Sequence, residues 1–285
     1  MFPFPFRLFL DRLAHPVVAE TSSAIAEHWN EVPTEMLAAR VNLATEDFGG
    51  LPDWLNSDFY RGRYNKSVLP LLEKVIRDTQ KRSGQVGVLL NGASGMSIAA
   101  RRMATAMRSN VSVIDLHLNR RVVGDASNND NGHRWVADYH RLQGTRKGVN
   151  TIGEIFKYIQ QKGLLESDNG ALVDTAFNGS IIKLVSQIIF PVRSTFRIKG
   201  YLALQMSAEG MPAELEIEHG APFVVSNPKT DMEHFEKLGP RQFRSTERLV
   251  EHGQTLEPET AGQNDLVDYV FVRQYLEALV DEYLQ

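Results

Sequence analysis

Cysteine is absent from this chain of 285 residues. That excludes disulfides, thiolate metal sites and cysteine nucleophiles at once, and points toward a reducing compartment. Long apolar runs are missing too: no segment approaches the roughly 18 apolar residues that span a bilayer. The opening Met-Phe-Pro-Phe-Pro-Phe-Arg-Leu-Phe-Leu-Asp has no basic n-region, and two prolines and Asp11 interrupt it, so no secretory signal is expected. A basic surplus is lacking as well. The formal net charge is −4 and the pI about 6.1, against the basic face of a general nucleic-acid binder. The expectation is a cytoplasmic protein with neither nucleic acid nor membrane as partner. There is no internal repeat and no low-complexity tract. Gly-x-Ser-x-Gly and His-Glu-x-x-His are both absent, so serine-hydrolase and zincin mechanisms lack their usual signatures.

What is present fits an ordinary globular chain, 42% hydrophobic and 23% charged, long enough for one large α/β domain or two smaller ones. Residues 18–40 read as one or two helices, with Thr21 or Ser22 able to cap the first. A glycine- and aromatic-rich connection covers 46–64. An amphipathic helix follows over 67–81, with Val68, Leu71, Leu72, Val75 and Ile76 at helical spacing. Then the pattern changes. A buried-strand run at 85–90, a turn Asn91-Gly92-Ala93-Ser94-Gly95, a helix over 97–107 and a strand over 111–118 make a βαβ unit, hence a parallel pair.

The polar stretch 124–148 reads as a long mobile loop with a short helix, and 151–162 as a helix. Residues 170–180 then repeat the motif: Gly-Ala-Leu-Val runs into Asp174, a short loop ends in Gly179-Ser180, and a helical run begins. After Pro191 the pattern alternates, as half-exposed strands do, in 196–206 and 213–219. Residues 222–262 are rich in turn formers and charges. An amphipathic helix over 266–284 closes the chain, its apolar face broad enough to dock on its own domain or on a second subunit, as in a homodimer. The expected fold class is α/β: a Rossmann-like three-layer parallel sheet with a helical N-terminal segment (1–83), a core for a phosphorylated ligand (84–190) and an addition of strands and a closing helix (191–285).

Two turns carry chemistry. Gly92, Ala93, Ser94 and Gly95 would let a pyrophosphate approach a helix N-terminus, and Asp115, about 20 residues on, stands where a ribose-binding acid of an NAD(P) site would lie. Against that reading, the third glycine of the dinucleotide motif is missing. The alternative is a tight βα turn without a ligand. Tyr158 and Lys162 form a Tyr-x-x-x-Lys pair, but follow the glycine turn too closely for a short-chain dehydrogenase. In the second turn, the loop Thr175, Ala176, Phe177, Asn178, Gly179 and Ser180 offers successive N–H groups to a monoester phosphate, and the helix dipole favours the anion. Asp174 would bind ribose hydroxyls or a Mg²⁺ ion through water; its alternative role is a helix N-cap. Arg120 and Arg121, after the preceding strand, would clamp a diphosphate, or else form a solvated strand end.

The second turn resembles the ribose-phosphate loop of type I phosphoribosyltransferases, a hydrophobic strand followed by two acids and Thr-Gly-x-Thr. Asp174 falls at the second acid and Gly179 at the loop glycine. Val173 replaces the first acid, Asn178 the threonine before the glycine, and Ile181 or Ile182 stands near the last threonine. The resemblance implies a transferase in which Gly92–Gly95 would hold pyrophosphate and 124–148 would form a flexible hood. The first turn lacks that family's arginine; Arg101 and Arg102 lie one helical turn on. The same region also looks like one found beside haloacid-dehalogenase-type domains in bacterial surface-polysaccharide proteins. There a Ser-Arg-Arg strand end, here His117-Leu118-Asn119-Arg120-Arg121, precedes a Val-Asp-x-Gly-x-x-Gly-Thr turn. No Asp-x-Asp pair accompanies it, so phosphatase chemistry is not implied. Each resemblance covers about a third of the chain.

Other candidates read as structural. His133 and His140 are loop residues; Glu216 and Glu218, beside His219, share one solvated strand face rather than a metal site. Trp54, Phe59, Tyr60 and Tyr64, with Arg61 and Arg63, could stack a base, but such a cluster more often packs on the core. Asn227-Pro228-Lys229 is a turn. The function expected from the sequence is an enzyme acting on a phosphorylated ribose or nucleotide. The alternatives are an NAD(P)-dependent oxidoreductase and a non-catalytic partner protein of a nucleotide or surface-polysaccharide pathway.

Overall fold

The computed structural model describes residues 19–20, 28–40, 61–62, 64–90, 95–119, 122, 139–174, 179–203, 216–219, 246–260 and 264–285. Five strands, β2 (Gln85–Leu89), β3 (Val113–Leu116), β4 (Asn169–Asp174), β5 (Arg197–Leu202) and β6 (Glu216–His219), form one sheet in the order β3-β2-β4-β5-β6. All four pairings are parallel. Two small antiparallel pairs stand apart: β1 (Ala19–Glu20) with β9 (Asn264–Asp265), and the hairpin β7 (Thr246–His252) with β8 (Thr255–Thr260). The helices are α1 (Thr34–Arg40), α2 (Leu69–Lys81), α3 (Met96–Ala106), α4 (Tyr139–Gln143), α5 (Arg146–Gln161), α6 (Ser180–Ile189) and α7 (Leu266–Tyr283). They flank the sheet in an α/β arrangement. None of them is long and apolar enough to cross a membrane, among the described residues.

Successive strand residues alternate between two apolar cores, because side chains leave a strand with period two. Val86, Val88, Val113, Ala171, Val173 and Tyr201 enter a first core with α1, α2, α3 and α7. Leu89, Leu116, Leu172, Ile198 and Leu202 enter a second with α4, α5, α6 and Leu256 of the hairpin. Helix α6 is built from β-branched residues that lose rotamer freedom in a helix. Its helical form is set by burial: Ile181, Ile182, Leu184, Val185, Ile188 and Ile189 are all nearly inaccessible.

Several expectations change in detail. Strand β3 is shorter than the 111–118 run, and α5 begins at Arg146, where Thr145 caps it by accepting from the Gly148 N–H at 3.0 Å. Within the alternating 196–206 run, β5 is a buried strand: it is enclosed from Ile198 onward, since it sits between β4 and β6 and Lys199 is held against Asp78 at 3.5 Å. The hairpin β7–β8 lies in the stretch read only as turn formers and charges. Tyr64 is buried, as core packing requires, and Arg61 pairs with Glu282; Trp54, Phe59, Tyr60 and Arg63 lie outside the described residues, as do His133 and Asn227–Lys229. The apolar face of α7 is filled within the chain, by Tyr269, Val270, Val272, Leu276, Leu279 and Val280 in the first core.

Candidate functional site

The strand order reverses direction between β2 and β4: the chain runs from β2 outward to β3, then returns past β2 to β4 and on to β5 and β6. A crevice for ligands forms at such a reversal, outside the carboxyl ends of the strands. Both glycine turns leave from there. Val88 pairs with Val173, so β2 and β4 end at the same level. Each leads to a glycine in the left-handed region, Gly95 (φ 53°, ψ 15°) before α3 and Gly179 (φ 57°, ψ 23°) before α6. A side chain there costs about 1–2 kcal/mol, which explains glycine at both positions. Ala99 N–H donates to the Gly95 carbonyl at 3.2 Å and Lys183 N–H to that of Gly179 at 2.8 Å. By helix geometry the earlier N–H groups of α3 and α6 find no acceptor within their own helix. The two helix starts therefore stand at the same end of the sheet, on opposite faces of it, each with amides and the positive end of a dipole.

Asp174 ends β4 and is 1% exposed; its carbonyl accepts from Ala203 N–H at 3.0 Å. By alternation with Leu172 it lies on the second-core face. Ser180 opens α6 and is half-buried. The loop residues Gly92, Ala93 and Ser94, the loop residues Thr175, Ala176, Phe177 and Asn178, and Arg120 and Arg121 lie outside the described residues.

Asp115 lies on the opposite face from Asp174, by alternation with Val113. It is 5% exposed and both of its oxygens are held by protein: Oδ1 by the Ser97 hydroxyl and by Arg101 Nη2 at 2.9 Å, Oδ2 by Asn30 Nδ2 at 2.8 Å. Burial pushes this carboxyl up, but the Arg101 charge, the Ser97 hydrogen bond and the His117 charge together hold it below its ordinary value. The network runs on through Tyr269, whose hydroxyl donates to Asn30 Oδ1 at 2.7 Å, and Arg273 Nη1 donates to the carbonyls of Trp29 and Val32 at 2.9 and 2.6 Å. Arg102 makes a two-point pair with Asp281, both contacts at 2.7 Å. The arginines one turn into α3 are thus engaged with carboxylates, Arg101 with Asp115 and Arg102 with Asp281.

The exit of β3 is fixed by contacts that the sequence reading did not assign. His117 N–H donates to the Tyr158 hydroxyl at 3.2 Å, and its Nδ1 lies 3.1 Å from Thr246 Oγ1. Asn119 Nδ2 donates to the Thr246 carbonyl at 2.9 Å. Lys162 stands over the Tyr158 ring, 5.5 Å from its centre, so the Tyr-x-x-x-Lys pair here packs the β3 exit. A cavity of about 260 Å³ lined by Phe156, Gln160, Leu165, Glu166, Val192 and Arg193 lies on the segments entering β4 and β5. That is the end of the strands away from the glycine turns. Compared with known proteins, the chain matches no family model and no curated protein.

Proposed function

We propose that the chain is an enzyme acting on a phosphorylated ribose or nucleotide, with phosphoribosyltransferase-like transfer and departure of pyrophosphate. One observation carries the reading: two left-handed glycines, Gly95 and Gly179, open helices from neighbouring parallel strands on either side of the strand-order reversal. Two amide-rich helix starts, at one end of the sheet and on opposite faces of it, suit a ligand with two separated anionic groups, as a 5-phosphoribosyl diphosphate has. On this reading the 175–180 loop holds the 5′-phosphate, Asp174 orients the ribose, and Gly92–Gly95 with Arg120 or Arg121 stabilises the charge growing on the leaving group. On this reading a Mg²⁺ ion would be held through water by the Asp174 carboxylate and by the ligand's own phosphates, whose charge it would neutralise. The two cores filled by alternate strand residues support a Rossmann-like three-layer arrangement. The partner is a small phosphorylated molecule in the cytoplasm, with no nucleic acid and no membrane; a homodimer would use a surface other than the filled face of α7.

The NAD(P) alternative keeps the Gly95 turn, but its ribose acid, Asp115, already holds three protein donors. Thermal-shift titration decides among the readings. Phosphoribosyl pyrophosphate with magnesium should stabilise the protein by about 2.7 kcal/mol at 100-fold over Kd, and the combined Asp174→Ala, Gly179→Val variant should lose that shift. A shift that survives the double variant removes the site assignment. A shift with NAD or NADP alone selects the oxidoreductase, and no shift with any of these or with UDP-sugars selects the non-catalytic partner.

A further inference from the structure

We propose that Asp115 is a positioning residue for one half of the crevice, fixing α3 and its Gly95 cap for the pyrophosphate end of the ligand while leaving the α6 half untouched. The proposal rests on the phosphorylated-ribose reading. Ser97 is the second residue of α3, and Arg101 follows it by one turn on the same helix face, so two contacts to one carboxylate set both the rotation and the axial position of the helix. Asn30 holds the other carboxylate oxygen at 2.8 Å and is itself held by Tyr269 of α7 at 2.7 Å. Elements from both ends of the chain thereby brace the start of α3, directly after Gly95. The described contacts of this network include no residue of α6, whose buried side chains belong to the second core on the other side of the sheet. Asp174 alternates toward that side as well. Perturbing Asp115 should therefore be felt at one anion position and not at the other.

The test uses the full chain as wild type, Asp115→Asn and Ser97→Ala. Each is titrated calorimetrically with pyrophosphate and, separately, with ribose 5-phosphate, both with magnesium. Both variants should lose about tenfold or more in pyrophosphate affinity, about 1.4 kcal/mol, with ribose 5-phosphate affinity unchanged. Removing a negative charge near an anion site would by itself tighten pyrophosphate binding, so weakening in Asp115→Asn marks lost geometry rather than altered charge. Ser97→Ala keeps the Arg101 pair and carries the test if Asp115→Asn does not fold. Equal weakening of both ligands, or no change in either, overturns the positioning role and leaves the functional reading standing. A wild type that binds neither ligand overturns both.

Discussion

Helices α3 and α6 start alike and are held differently. Each follows a parallel strand, each opens at a left-handed glycine, and the two strands are neighbours. Yet α3 is braced by a buried carboxylate with three donors and by the Arg102–Asp281 pair, whereas α6 is held by an almost unbroken set of buried Ile, Leu and Val. Apolar burial is strong but non-directional, and fixes a helix to its layer. Charge-assisted hydrogen bonds are directional, and fix rotation and register. The half of the crevice proposed to bind the leaving group is thus the half with the stricter geometric control.

The largest effect should come from cutting the directional brace. Asp115→Asn leaves the Arg101 guanidinium without its counter-charge and should cost about 3–5 kcal/mol in urea denaturation. Because the folded carboxyl is held below its unfolded value, its contribution is present above the unfolded pKa and is lost as pH falls through the folded one. The stability gap between wild type and Asp115→Asn should accordingly be constant near neutrality and narrow in acid melts below about pH 4. The apolar counterpart is Ile182→Ala in α6, at about 2–5 kcal/mol with no such narrowing in acid. A gap that narrows for both variants would erase the distinction between the two helices.

Smaller effects sharpen the comparison. Gly95→Ala and Gly179→Ala should each cost about 1–2 kcal/mol, since both glycines are left-handed; thermal denaturation should find the two costs similar, because this feature is shared. Thr145→Ala, at the conventionally capped start of α5, should cost about 1 kcal/mol and leave pyrophosphate affinity as it was. A change in that affinity would show that the crevice extends to α5.

Strands β2, β3 and β4 were legible as short apolar runs, with Gly95 and Gly179 in the turns after β2 and β4; β5 and β6, read as half-exposed additions, continue the same parallel sheet, because their charged residues mask the pattern. The position of Asp115 at the end of a strand was legible too, but not its role: its partner Asn30 is 85 residues away, and no local pattern records such a contact. Lys199 misled in the other direction. A lysine in an alternating run signals exposure, yet Asp78 of α2 at 3.5 Å and the ring of Tyr201 on its own strand accompany it in the interior. The β7–β8 hairpin was hidden by its charges and by Pro258; its signs were the two-residue turn Gly253-Gln254, with Gly253 at φ 65°, and the buried apolar anchor Leu256.

That hairpin is fastened to α5 by a side chain acting as a peptide group. Gln161 Oε1 accepts from Leu256 N–H at 2.7 Å while its Nε2 donates to the Leu256 carbonyl at 3.1 Å, so one amide supplies both rungs of a ladder. A carboxamide offers a donor and an acceptor in one plane, as a peptide group does. A single deamidation, Gln161→Glu, would set a carboxylate against the Leu256 carbonyl and turn one rung from attraction to repulsion. Ageing chemistry at one side-chain nitrogen would then loosen the arm that carries Thr246, and with it the exit of β3.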